Sequence, residues 1–172
     1  AQQKGFDIFT EGLDDLCKMN LQLVILGTGD LKYHQLHKDA SDKYPKTISL
    51  NLKFDDVLAH KIYAGCDIFL MPSLYEGQGI VALEAAAAGN FIIASNTGGL
   101  VEMFEDGKTA HLVAPKDVEG IARSLHWVFG NREQAREIAL RGQQYVLAHY
   151  PIEKITRQYE QLYKDILGEN YL

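Results

Sequence analysis

Two glutamates with seven residues between them, Glu76 and Glu84, flank the string Gly77-Gln78-Gly79-Ile80-Val81. An apolar run ends just before this segment at Met71, and an Ala-rich stretch follows over 81–88, so the pattern reads strand, loop, helix. A helix starting near Gly79 offers backbone N–H groups that no intrahelical carbonyl can reach, beside the positive end of its dipole. Such a helix start suits a phosphate. Gly77 and Gly79 let a ligand approach the main chain closely. The dipole contributes only about 0.3–1 kcal/mol, or ~2 kcal/mol when partly buried, so a bound diphosphate needs a further donor. Lys4 is the candidate. Carboxylates do not ligate phosphate, but they do accept from sugar hydroxyls. Helical side chains tilt toward the helix N-terminus, which brings Glu84 within reach of a ribose lying across the helix start. Glu84 is also the one charge in the run 81–88, where it is costly unless it faces a cleft or finds partners. Taken singly, each residue has a plainer reading: Glu84 as a solvated helix residue, Glu76 as an N-terminal cap. Together with the glycines they point to a ligand carrying both phosphate and hydroxyl groups.

The elements that must position these residues can be read from apolar patterning. Strand-length runs occur at 21–26, 47–52, 67–71, 91–94 and 110–113. Several lack polar alternation, as parallel strands covered on both faces do. Helical patterns lie near 6–19, 31–42, 55–65, 79–88 and 99–105, then 117–129, 132–148 and 152–167, with Pro151 separating the last two. The first helix gathers Phe6, Phe9, Leu13, Leu16 and Cys17 toward one face. Strands alternating with helices predict an α/β fold, a doubly wound parallel sheet followed by C-terminal helices. Ligands of such sheets sit at the carboxyl ends of the strands. Five strands are predicted, whereas the common order 3-2-1-4-5-6 has six. The strand unaccounted for is the first, at the centre of the sheet. We therefore expect residues 1–172 to form one domain truncated at its N-terminus, with the strands at 21–26 and 67–71 either flanking a vacant central lane that another segment or chain fills, or closed directly upon each other.

Composition narrows the partners. The 172 residues suit a single domain, and 47% hydrophobic residues suffice for a core. A formal charge of −6, with the basic residues scattered, argues against a nucleic-acid or membrane surface. Cys17 and Cys66 lie among apolar residues and read as reduced thiols of an intracellular protein. There is no targeting pattern and no long apolar run. His34 and His37 share a helix face without a third ligand nearby, so no metal site is predicted.

The segment Glu76–seven residues–Glu84 resembles the signature of retaining glycosyltransferases of the GT-B fold. The stretch 55–73, ending Tyr63-Ala64-Gly65-Cys66-Asp67-Ile68-Phe69-Leu70-Met71-Pro72-Ser73, is similar more particularly to glycogen and starch synthases. So are Gln3-Lys4-Gly5-Phe6-Asp7 and Gly27-Thr28-Gly29-Asp30. The likeness departs at Leu74-Tyr75-Glu76-Gly77-Gln78-Gly79, where those synthases carry Arg, an aromatic, Glu, Pro, Cys and Gly. The continuation Val81-Ala82-Leu83-Glu84-Ala85 is closer to the broader retaining family, sucrose- and mannose-transferring enzymes included.

The resemblance implies a nucleotide-sugar-binding, Rossmann-like C-terminal lobe, with the acceptor lobe elsewhere and the fragment inactive alone. Lys4 would hold the distal phosphate and Glu76 the donor sugar. The amides of Gly79, Ile80 and Val81 would hold the diphosphate, with Gly77 and Gln78 beside them, and Glu84 the ribose. Phe54 would stack on the base, or else cap a strand from within the core. Gly27 and Thr28 belong to the same donor site. Thr97, Gly98 and Gly99 either touch the sugar or phosphates or merely turn the chain. The implied reaction moves a hexosyl group from ADP-glucose or UDP-glucose to a glucan or other hydroxyl, with retention and without a metal, the protein stabilising the departing phosphate. The expected compartment is the cytoplasm, or the plastid in a plant or alga. Three rivals remain. A nicotinamide-binding domain lacks support because the third glycine of the fingerprint is missing after Gly27 and Gly29. A non-catalytic module for nucleotide sugar or polysaccharide is opposed by the presence of Lys4, Glu76 and Glu84 together. A nucleotide-sugar epimerase shares the architecture.

Overall fold

In the computed structural model, which describes residues 2–167 with the side chains of 2 and 7–11 excepted, the first element is one 3-10 turn, Gln2–Lys4. Gly5, at φ 72, then turns it into helix α1 (Phe6–Leu16). An added Cβ on Gly5 would lie 1.8 Å from the carbonyl oxygen of Pro72, so only glycine allows this approach. Leu13 and Leu16 are buried on α1 as its spacing predicts, Cys17 is half-buried, and Phe9 falls outside the described side chains.

The remaining elements alternate as expected. Strand β1 (Leu23–Leu26) leads to α2 (Leu31–Lys43), β2 (Ile48–Asn51) to α3 (Asp56–Gly65), and β3 (Ile68–Met71) to α4 (Ile80–Ala87). Strand β4 (Phe91–Ser95) leads to α5 (Leu100–Met103), and β5 (His111–Val113) to α6 (Val118–Gly130), α7 (Arg132–His149) and α8 (Ile152–Leu167). Asp55 caps α3 by accepting from Leu58 N at 2.9 Å, and Asp117 caps α6 by accepting from Gly120 N at 2.7 Å.

Every ladder is parallel, with β1 on β2, and β3 and β5 on either side of β4. All five residues of β4 are buried, and they alternate between two cores. Phe91 and Ile93 point into a cluster with Leu13 and Leu16 of α1 and Ile121, Leu125 and Val128 of α6. Ile92 and Ala94 point into another with Ala82, Ala85 and Ala86 of α4 and Leu100 and Met103 of α5. Helices therefore cover both faces, which makes the sheet doubly wound.

The sheet is interrupted between β1 and β3, which share no ladder. Leu23 and Ile25 of β1 and Ile68 and Leu70 of β3 nevertheless pack against one core cluster. Of the two expected arrangements, direct pairing of these strands is not found. Helix α8 buries no residue, and Ile152, Tyr159, Leu162, Tyr163 and Ile166 along it are exposed. No helix among the described residues is long and apolar enough to cross a membrane. Cys17 and Cys66 are free thiols, and burial pushes both upward in pKa.

Candidate functional site

Parallel strands place the segments that follow them at one edge, and there the chain ties three of its turns together. The Gln2–Lys4 turn is strapped to the loop after β3: Leu74 N donates to Gln3 O at 2.8 Å, and Gln3 Nε2 to Tyr75 O at 3.1 Å. That loop is braced in turn by the segment after β4. Thr97 Oγ1 donates to Leu74 O at 3.3 Å, and Gly99 N to Glu76 O at 2.9 Å. Gly98, at φ 51, rests directly on Glu76: a Cβ there would stand 1.9 Å from Glu76 O. Thr97, Gly98 and Gly99 thus hold the loop from Leu74 to Glu76 in place, a bracing role that neither sequence reading contained.

The straps bring Lys4 and Glu76 into an ion pair, Nζ to Oε2, at 2.5 Å. Glu76 is only 7% exposed. Ser73, fully buried, donates its hydroxyl to the same oxygen at 3.4 Å. A buried carboxylate is costly unless it is paired and hydrogen-bonded, and Lys4 and Ser73 supply both conditions. The alternative role for Glu76, as N-cap of α4, is corrected: Gly79 occupies the cap position, and no side chain caps the helix. The first turn of α4 is therefore left open. Ala82 N and Leu83 N donate to Gly79 O, but no described group accepts from the N–H of Ile80 or Val81, and both residues are exposed.

Glu84 lies one turn further along α4 and is exposed. Its neighbour across the helix pair is Tyr63 of α3, 9% exposed. Burial first, and then the Glu84 carboxylate, push the Tyr63 phenol up to about 12. Phe54 follows β2 and is 84% exposed, so the alternative of a core phenylalanine capping a strand is corrected. Gly27 and Thr28 follow β1 at that edge, with Gly27 N donating to Asn51 O at 3.1 Å. Lys4, Glu76, Gly77, Gln78, Gly79, Thr97, Gly98 and Gly99 thus form one assembly. Gly27, Thr28 and Phe54 share its edge without a hydrogen bond to it among the described residues.

Sequence reasoning missed Ser73 and Tyr63. Ser73 lies three residues before Glu76, a spacing that carries no signal outside this loop. Tyr63 meets Glu84 only because α3 packs beside α4. The histidine pair is absorbed locally: His34 Nε2 accepts from Gly29 N at 3.0 Å, and His37 Nδ1 donates to Tyr33 O at 2.6 Å. Among the described residues no group of three or more His, Cys, Asp or Glu is placed to hold a metal ion.

Residues 1–131 match the family model described as Glycosyl transferases group 1. The chain belongs to the group 1 glycosyltransferases. Curated relatives of this glycosyltransferase chain include the glycogen synthase of Thermotoga petrophila, 32% identical over 182 residues that cover 97% of the chain and 36% of the relative. The glycogen synthase of Fervidobacterium nodosum is 47% identical over 106 residues, 62% of the chain and 22% of that protein. The chain thus spans about a third of the length of a relative that matches nearly all of it. Its fold is that of sucrose-phosphate synthase from Thermosynechococcus elongatus, with a TM-score of 0.85 at 24% identity over 98% of the chain and 43% of that structure. Anabaena HepE, solved in complex with UDP-glucose, gives 0.84 at 18% identity over 96% of the chain and 46% of that structure. The chain accordingly has the Rossmann-like fold of the GT-B C-terminal lobe, and the nicotinamide-binding reading is set aside.

Proposed function

We propose that the chain is the donor-binding domain of a two-lobed hexosyltransferase that moves a glucosyl group from ADP-glucose or UDP-glucose to a glucan hydroxyl, with retention at the anomeric carbon. The observation that carries this reading is the Lys4–Glu76 pair set beside the open N-terminal turn of α4. Likeness to glycogen synthases supports the glucosyl group and the glucan, and the UDP-glucose held by HepE supports a glucose nucleotide.

In this reading the amides of Ile80 and Val81 take the diphosphate, and Lys4 neutralises the charge that grows on the leaving oxygen. Glu76 accepts from a hydroxyl of the donor sugar and fixes its anomeric carbon. Glu84 takes the ribose and Phe54 the base. The acceptor hydroxyl attacks from the face the nucleotide leaves. No divalent ion is needed in this scheme, because donors of the chain itself meet the diphosphate.

Calorimetric titration with ADP, UDP and NAD tests the binding half. One nucleoside diphosphate should bind and NAD should not. A charge-assisted hydrogen bond is worth about 1.5–3 kcal/mol, so Lys4→Ala should weaken that binding roughly 10- to 100-fold. Equal affinity in the variant would remove Lys4 from the site.

A further inference from the structure

We infer that Glu76 makes the site discriminate between the sugar nucleotide and the spent nucleoside diphosphate, by competing with the diphosphate for Lys4. The inference rests on the donor-site reading above and adds a selectivity that reading does not contain. The two partners of the ion pair are unequally held. Glu76 is fixed, with its carbonyl bonded to Gly99 N, Gly98 seated against its backbone and Ser73 on its carboxylate. The Lys4 side chain is 46% exposed and sits at the end of a three-residue turn. The lysine is therefore the partner able to swing toward a ligand, and the glutamate is the one left behind.

The consequence follows from counting charges at the site. Without ligand, the ammonium and the carboxylate cancel each other. A diphosphate arriving at Ile80 and Val81 draws on Lys4, which weakens the pair and brings several negative charges close to a buried carboxylate that cannot move away. A sugar nucleotide offsets this loss, because a sugar hydroxyl donates to the carboxylate in place of the ammonium. A nucleoside diphosphate has no hydroxyl at that position and leaves Glu76 both repelled and short of a donor. Glu76 thus favours the loaded donor over the product. Once the hexosyl group has left, the carboxylate reclaims Lys4 and helps expel the nucleotide.

The test compares ADP with ADP-glucose, and UDP with UDP-glucose, by calorimetry on the wild-type chain, Glu76→Gln, Glu76→Asp and Lys4→Ala. Removing one buried like charge should tighten nucleoside-diphosphate binding by Glu76→Gln about 5- to 10-fold, with no matching gain for the sugar nucleotide. Glu76→Asp, which keeps the charge, should show no gain. A damaged fold only lowers affinity, so a gain in the glutamine variant cannot arise from misfolding. Unchanged or weaker diphosphate binding in Glu76→Gln, alongside the expected loss in Lys4→Ala, overturns this inference and leaves the donor site standing. A gain shared by glutamine and aspartate traces to a loosened loop and overturns it too. No effect of Lys4→Ala removes the donor-site reading itself, and this inference with it.

Discussion

At Gly98 a methyl group would collide with the Glu76 carbonyl at a φ of 51 that side chains resist, so this position joins backbone geometry to chemistry. Gly98→Ala should cost about 1–3 kcal/mol of stability and weaken nucleoside-diphosphate binding together, read as a lower unfolding midpoint and a higher Kd. Stability lost with affinity intact would separate the brace from the site. A second residue-scale expectation concerns Tyr63, whose phenol is raised from 10.0 to about 12 by burial and the neighbouring Glu84 carboxylate. Above pH 10 the unfolded chain gives up this proton while the folded chain keeps it, so the folded state binds more protons and loses relative stability as pH rises. The contribution is complete below pH 10 and is lost progressively toward 12. Alkaline unfolding followed by circular dichroism should show that decline, and Tyr63→Phe should flatten it.

At the scale of elements, the two aspartate caps are matched local devices. Asp117→Ala should destabilise the chain by about 1 kcal/mol in denaturant unfolding, since Gly120 N is buried with α6 and loses its acceptor. The elements were largely legible in the sequence. Each strand expected from an apolar run is present. Four are trimmed at their ends, 21–26 to Leu23–Leu26 and 47–52 to Ile48–Asn51 among them, while 91–94 gains Ser95. The trimming is physical, because flanking residues such as Leu21 and Leu52 extend the hydrophobic pattern without reaching a partner strand. The eight helices expected also form, with α1 ending at Leu16, where the bonding tightens to three-residue turns as Lys18 N donates to Asp15 O and Met19 N to Leu16 O. The site was legible as a collection of residues and illegible as an assembly. Glycines beside a glutamate signal an open helix start, whereas the direct pairing of Lys4 with Glu76 depends on straps between turns some 72 residues apart in sequence. The bracing of Glu76 by Gly98 was likewise illegible, because it depends on which carbonyl lies beneath the glycine.

Across the whole molecule, the two ladders lean on one core and share no hydrogen bond. The two halves are therefore joined by packing alone, without the directional hydrogen bonds that tie the strands within each ladder. They also differ in depth: none of the β1 side chains is fully buried, whereas every residue of β4 is. The molecule should therefore open as two cooperative units rather than one. In native-state amide exchange followed against low denaturant, the protected amides of β1 and β2 should converge on one opening free energy, and those of β3 to β5 on a higher one. A common value for all five strands would mean that the shared core transmits unfolding as completely as a continuous ladder.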